Sequence, residues 1–285
     1  MHHDKKEQPI SKDKMNDAGE QERDAGANSL TRMLSILDLF TEDNPLWATN
    51  EILTALEVSR STGYRYIRSM ASAGLISAVG NGYYILGPRI IELDLQIRNT
   101  DPLLQASEGV LEELCDSTGH SALLCTLFQN SVLCVRESLV PFSPADLMGR
   151  GQRRPLLRGA MSKVILAHLS AHRLRSIFNR RQDEIIDAGL GESWDEFRAN
   201  MAAIRNEGYA KSSGEFTRSM IGASAPVFNA GDEVIGSVGV AWDKSEMGQV
   251  DFDRIALSVK RAGREISARM RDRSMGKVLR PRAVG

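Results

Sequence analysis

The sequence predicts an α+β protein of two domains, an amino-terminal winged helix-turn-helix and a larger carboxy-terminal unit, joined by a linking helix. Three observations lead there. Residues 58–75, VSRSTGYRYIRSMASAGL, read as a short basic helix with two amphipathic helices before it and a hairpin after it. From Ser121 onward the pattern changes to strands interrupted by helices. The chain has 285 residues, 42% of them hydrophobic, which is ample for two cores.

In chain order, residues 1–28 are rich in Lys, Asp, Glu, Gln and Gly and are expected to be a disordered leader. His2 and His3 within it do not by themselves make a metal site. SLTRMLSILDLF then places Leu30, Met33, Leu34, Leu37 and Phe40 at helical spacing. Thr49 is expected to cap the next helix, EILTALEV, with Glu51 favouring its first turn. A tight turn at Glu57-Val58 leads into the third helix, for which Ser59 is a ready N-cap. LISAV and YYIL flank Gly80-Asn81-Gly82, a hairpin signal whose glycines accept positive φ. The winged helix-turn-helix is assigned to residues 29–88.

Wound as an α-helix, the third helix carries Gly63, Tyr66, Ile67 and Met70 on one face. Ser61, Arg65, Arg68 and Ser72 fall on the other, with Tyr64 beside them. Arg60 adds a third guanidinium, and no carboxylate accompanies them. Arginine forks onto guanine and short hydroxyls bond phosphate oxygens, so this face suits a double-stranded DNA operator. The residues assigned to DNA are Thr49, Ser59, Arg60, Ser61, Thr62, Tyr64, Arg65 and Arg68. An isolated basic helix reads more readily as a solvated face; the companion helices and the wing shift the reading to DNA. Bulk charge does not contribute, because the net charge is −1. Residues 29–89 hold five basic residues (32, 60, 65, 68, 89) against five acidic ones (38, 42, 43, 51, 57). Local placement must supply the field.

Gly87-Pro88 ends the wing, and residues 89–101 form the linking helix. Ile90, Ile91, Leu93, Leu95 and Ile97 make it apolar on more than one side. A short helix cannot bury two faces alone, so a partner chain is its expected cover. Asp101-Pro102 breaks it, and PLLQASEGVLEELCDSTG reads as one further helix stopping near Gly119. The second domain is assigned to residues 102–275 and a tail to 276–285. SALLCTLF and SVLCVRES form a hairpin about Gln129-Asn130. LLRGAMSKVILAHL ends as a helix, HRLRSIF and SWDEFRANMAAIRNEGY add two more, and GASAPVFNAGDEVIGSVGVAW contains two strands. A last helix over about 252–270 aligns Ile255, Val259, Ala262 and Ile266.

Cys115, Cys125 and Cys134 are an odd, sparse set without a CxxC, which predicts a reduced, cytoplasmic compartment, and Cys125 and Cys134, on the expected strands, read as buried small hydrophobes. No apolar run reaches membrane-spanning length and the charged amino terminus has no signal-peptide core, so no membrane partner is expected.

SRSTGYRYIRSMASAGLI, the wing ending LGPR, PLLRGAMSKVILA, GYAKSSGE and SAPVF, in that order and spacing, resemble the IclR family of transcriptional regulators. The resemblance spans residues 29 to about 273. It implies that the second domain is GAF-like and binds a small effector, and that the protein is a homodimer or a dimer of dimers. A regulator of this kind also has RNA polymerase among its expected partners. Arg158, Ala160, Met161, Ser212, Glu215, Gly222, Gly239 and Ala241 are the effector candidates, for a small organic acid that fits a pocket with few polar walls. The chain departs from the family pattern in places. Gly63 stands where a branched aliphatic is usual, at a cost of about 1 kcal/mol in helix propensity. Ser162-Lys163-Val164 replaces a frequent Gly-Lys-Ala, Ser219 replaces a glycine four residues after the acidic position, and Gly239 and Ala241 replace hydroxyls.

Enzyme-like fragments do not assemble. Gly222-Ala223-Ser224 begins like a nucleophile elbow, but Pro226 stands at the second glycine and a strand follows. Gly149-Arg150-Gly151 lacks the third glycine of a dinucleotide fingerprint. His168 and His172 sit at i, i+4 without an HExxH context. No catalytic residue, metal or cofactor is therefore assigned. The cluster Arg150, Arg153, Arg154 and Arg158 reads either as a solvated loop or as a clamp for a carboxylate effector. The basic stretch 260–282 reads as a solvated helix end. Two other functions compete with the regulator: a GAF-like enzyme acting on a small carboxylate, and an RNA-binding winged-helix protein.

Overall fold

The computed structural model describes residues 29–141, 143–144, 147–245 and 250–278, with side chains through Arg273. The expected leader, with His2 and His3, and the end of the expected tail lie outside the described residues. The chain divides into two compact units between Ile97 and Arg98, inside the linking helix.

The first unit begins with α1 (residues 29–34) and α2 (Ile36–Leu39). One helix was expected there; it breaks at Ser35, whose hydroxyl bonds back to the Arg32 carbonyl at 2.9 Å. β1 (Trp47–Ala48), α3 (Thr49–Ala55) and α4 (Arg60–Ser72) follow. Then come β2 (Ile76–Gly80), β3 (Tyr83–Leu86) and α5 (Arg89–Thr100). Ala48, rather than Thr49, is the N-cap of α3, and Glu51 accepts its backbone N–H at 2.8 Å. Glu57 takes a φ of 52° to turn the chain between α3 and α4, a left-handed conformation that costs a non-glycine residue about 1–2 kcal/mol. In the wing, Asn81 and Gly82 have φ of 50° and 76°, the pair of positive values that a tight hairpin of this hand requires. The short β1 was not predicted; it adds to β3, giving the order β1-β3-β2. Ile36, Ile52, Leu56, Tyr66, Ile67, Met70 and Ile76 form the core.

The second unit opens with α6 (Pro102–Ala106) and α7 (Val110–Thr118). These replace the single helix expected from the sequence. The Ser107 hydroxyl bonds the Leu104 carbonyl at 2.7 Å and Gly109 takes a φ of 76°, so the helix stops and restarts. β4 (Ser121–Phe128), β5 (Ser131–Ser138) and β6 (Arg153–Pro155) lead to α8 (Ala160–Ala167), α9 (Ala171–Arg180), α10 (Gln182–Asp187) and α11 (Trp194–Glu207). The chain then forms β7 (Ala210–Ser213), β8 (Met220–Phe228), β9 (Val234–Asp243) and α12 (Phe252–Val278). The short β6, β7 and α10 were not foreseen, because a few residues show no resolvable period. The antiparallel sheet has the order β6-β5-β4-β9-β8-β7.

Side chains alternate across that sheet. Ile221, Ala223, Ala225 and Val227 of β8 join Val238, Val240 and Trp242 of β9 under α7 and α12, where Ile255, Val259, Ala262 and Ile266 are buried as the stripe predicted. Leu123, Cys125, Val132 and Cys134 face the other way, into a core made with α8, α9 and α11. Each fully buried aliphatic side chain there is worth about 1.5–3 kcal/mol. The sheet is thus a shared wall between two apolar layers.

Candidate functional site

Each unit presents one candidate. In the first, α4 buries Gly63, Tyr66, Ile67 and Met70, as its spacing predicted. Arg60, Ser61, Tyr64, Arg65 and Arg68 are exposed. Among the described residues no carboxylate pairs with Arg60, Arg65 or Arg68, so their N–H groups remain available to phosphates or base edges. Ser59 caps the helix through a long 3.4 Å bond from the Thr62 N–H, and its hydroxyl lies 3.1 Å from that of Ser61.

Thr49 has another engagement: its hydroxyl and its backbone N–H both donate to the Gly82 carbonyl, each at 2.9 Å. That bond ties the tip of the wing to the start of α3. Gly63 also acquires a physical reason. A Cβ there would fall 1.7 Å from Leu53 Cδ2, so a methyl of α3 occupies the space that a side chain on α4 would need. The departure from a branched aliphatic lets the two helices of the motif close on each other.

In the second unit, the start of α8, the strands β8 and β9 and residues 215–217 surround a cavity of about 100 Å³. Leu123, Leu147, Met148 and Met161 give it apolar walls, while Arg154, Arg158, Ser212, Glu215 and Thr217 supply polar atoms. Arg158, Ala160, Met161, Ser212, Glu215, Gly222 and Ala241 come together here. Gly239 does not. Its absent Cβ would fall 2.2 Å from the Ala223 carbonyl oxygen and 2.6 Å from Ser224 Cβ, so this glycine serves the close approach of β9 to β8.

Glu215 is held firmly. Its carboxylate accepts the Gly159 N–H at 2.9 Å and the Lys163 ammonium at 2.5 Å. It therefore sits at the amino terminus of α8, where the helix dipole favours negative charge, and Lys163 balances it. Neither Lys163 nor this pairing was singled out from the sequence, although Lys163 lies in the Ser162-Lys163-Val164 motif.

The arginine cluster splits. Arg150 donates to the Val135 carbonyl and through its backbone N–H to Glu137 at 2.7 Å. Arg153 lies 4.5 Å from the centre of the Phe128 ring. Arg154 and Arg158 reach the cavity, Arg158 largely exposed and Arg154 partly buried. The Arg154 guanidinium lies 4.4 Å over the Phe216 ring, and its one hydrogen bond among the described residues goes to the Arg153 carbonyl at 3.3 Å. Burial pulls its pKa below the ordinary guanidinium range, while the neighbouring sulfurs of Cys125 and Cys134 act the other way. No carboxylate neutralises it among the described residues.

The remaining fragments take structural places. Cys115, Cys125 and Cys134 are all free and buried. Cys125 and Cys134 face each other across β4 and β5, and their mutual hydrogen bond, with burial, pushes the Cys125 thiol well above its ordinary range. Ser224, at the elbow-like stretch, is buried in mid-strand with no hydrogen-bond partner for its hydroxyl among the described residues. Among the described residues no His, Cys, Asp and Glu side chains gather as metal ligands, and no helix is long and apolar enough to cross a membrane.

Comparison with known proteins addresses both units. The IclR helix-turn-helix domain matches residues 29–80, and the family described as bacterial transcriptional regulator IclR C-terminal matches residues 96–268. The HTH-type transcriptional regulator BhcR of Paracoccus denitrificans is 25% identical over 254 residues, 88% of this chain and 90% of that protein. The probable HTH-type transcriptional regulator ArcR of Halobacterium salinarum is 24% identical over 227 residues, covering 79% and 86%. Among solved structures, an IclR transcriptional regulator from Alicyclobacillus acidocaldarius has a TM-score of 0.71 at 20% identity, covering 85% of this chain and 98% of that one. An IclR homolog from Microbacterium hydrocarbonoxydans, complexed with 4-hydroxybenzoate, has a TM-score of 0.68 at 19% identity, covering 86% and 99%. The solved structures share the fold, and the curated relatives carry the function of transcriptional control. With the carboxy-terminal match alone spanning more than half of the residues, the chain belongs to the IclR family of transcriptional regulators, DNA-binding proteins rather than enzymes.

Proposed function

We propose that this regulator binds a palindromic operator as a homodimer or a dimer of dimers, and that its affinity for DNA changes when a small organic acid enters the cavity of the second unit. Arg154 carries this reading: a partly buried guanidinium, without a carboxylate partner among the described residues, lines a cavity whose other walls are mostly apolar. Burying a cation away from water costs free energy unless an anion meets it, and guanidinium meets a carboxylate with two parallel bonds. Arg154 is accordingly the favoured carboxylate partner; Arg158, the sequence-based choice, is more exposed. The volume is on the order of the ~150 Å³ that admits benzene, which suits a compact aromatic acid. The relative solved with 4-hydroxybenzoate supports that class. A second copy is the natural cover for α5, which has no buried residue and exposes Ile91, Leu95 and Ile97.

The test is calorimetric titration with 4-hydroxybenzoate and its neutral amide, beside gel shifts on a duplex selected from random DNA. The acid should bind at least about tenfold more tightly than the amide and alter the gel shift. Arg154→Met should erase the preference while Arg158→Ala leaves most of it. Undiminished acid binding by Arg154→Met would remove Arg154 from the ligand.

A further inference from the structure

A second cleft in the carboxy-terminal unit shares no lining residue with the cavity described above; its volume is about 520 Å³. Its floor is the end of β8. β7 pairs with β8 only between Ile221 and Ser224, so the strand edge beyond is not covered by another strand. There Pro226 has no N–H to offer, and the Phe228 N–H donates to the Ser267 hydroxyl at 3.0 Å. Gly263 brings α12 down onto this floor, since a Cβ on it would fall 2.7 Å from the Pro226 carbonyl oxygen.

The walls carry charge of one sign. Lys260, Arg264 and Arg271 line the cleft from α12, and no Asp or Glu lines it. Lys260 is anchored, its ammonium 3.2 Å from the Glu207 carbonyl oxygen and 5.1 Å from the centre of the Tyr209 ring. Arg271 gives one nitrogen to Asp232 at 2.9 Å and keeps its other N–H groups. Arg264 is exposed and has no partner among the described residues. Across from them, His168 places Nδ1 2.8 Å from the Val164 carbonyl oxygen. A carbonyl only accepts, so the proton resides on Nδ1 and Nε2 is the acceptor of the ring. Burial holds the imidazole below its ordinary pKa of 6.5 and hence neutral.

We propose that this cleft binds a small phosphorylated polyol, such as a sugar phosphate. Lys260 and Arg264, one helical turn apart, receive the phosphate, Arg271 adds positive charge farther along α12, His168 Nε2 accepts from a hydroxyl, and the carbon skeleton lies on Ala225, Pro226 and Phe228. Lys260 and Arg264 have no carboxylate partner among the described residues and Arg271 shares its charge with Asp232; such a set matches a dianion better than a monocarboxylate, and the volume falls in the range of about 300–1,000 Å³ usual for small-ligand sites. A neutral histidine acceptor beside the cations adds the hydroxyl preference that a bare anion would not use.

The experiment is calorimetric titration of the full chain at constant ionic strength with glucose 6-phosphate, inorganic phosphate and glucose. Glucose 6-phosphate should bind saturably at one site per chain, inorganic phosphate more weakly, and glucose not measurably. Arg264→Ala should weaken glucose 6-phosphate about tenfold. Arg261→Ala removes a cation from the same helix that pairs instead with Glu113 at 2.5 Å, and it should leave binding unchanged. Absence of saturable binding by both phosphates overturns the proposal. An equal loss in Arg261→Ala and Arg264→Ala also overturns it, because the protein would then be attracting anions through net charge alone.

Discussion

Lys163 and Glu215, 52 positions apart in sequence, join the first turn of α8 to the segment after β7 through a 2.5 Å contact. Glu215 holds the Gly159 N–H as well, so one carboxylate closes that side of the cavity. Both side chains are mostly buried, which limits solvent screening. Lys163→Met should lower unfolding free energy by about 1–2 kcal/mol and Glu215→Ala by about 2–3. In urea denaturation the double variant should show a coupling of at least about 0.5 kcal/mol. Additive losses would make the contact incidental.

Arg65 stands on the exposed face of α4, opposite Ile67 and Met70. Arg65→Ala should weaken specific DNA binding by about 1–3 kcal/mol if it forks onto a base, and circular dichroism should not change. Unaltered gel-shift affinity would place the base contact on another residue.

Leu53 and Gly63 make a sharper test, because the two substitutions should not add. Leu53→Ala alone should cost about 2–4 kcal/mol by opening a hole in the first unit. Adding Gly63→Ala supplies a methyl to that hole and about 1 kcal/mol of helix propensity. The double variant should therefore melt above Leu53→Ala. A double variant that melts lower would mean that the fit of α3 to α4 does not depend on the missing Cβ.

Ile91 and Leu95 are 75% and 58% exposed on a helix with no buried residue. Replacing both by Asp should leave each unit folded and, if a second copy covers this helix, dissociate the assembly, since an unpaired charge in a seam costs several kcal/mol. Light scattering reads the outcome directly. An unchanged mass would locate the interface elsewhere.

His168 has its pKa lowered, chiefly by burial and against its bond to the Val164 carbonyl, with Arg205 adding to the lowering. The unfolded chain then takes up the proton first as pH falls. Its contribution to stability is fully present above the ordinary value of 6.5 and is lost as pH falls from there to the folded-state value. His168→Gln should flatten the stability curve over that window, read as urea midpoints from pH 7.5 down to about 5. Parallel curves for both proteins would show that the imidazole does not titrate differently on folding.

Long periodic segments were legible from the sequence alone. The faces of α4 and α12 came out as expected, because a helix that buries one side writes that side into its spacing. The hairpin at Asn81-Gly82 was legible too, since few residues tolerate those backbone angles. The Leu53–Gly63 fit was not: a missing Cβ looks like a weak helix former until the neighbouring helix is in place. The cavity residues converge from α8, β7, β8 and β9, and the block motifs located most of them. The difference in burial and partners between Arg154 and Arg158 is encoded in no local pattern, and Gly239 lies outside the cavity lining: alternation along a strand does not tell a cavity wall from a close strand approach.

The end of β8 has one further consequence. A bare strand edge is a template on which another chain can grow, and natural sheets blunt it with proline, charge or a covering side chain. Here Pro226 offers no donor, Ser267 occupies the Phe228 N–H, and Lys260, Arg264 and Arg271 stand over the stretch as like charges. These features blunt the edge as a template at that point. A Ser267→Ala change would free the Phe228 N–H and reopen one donor of that edge.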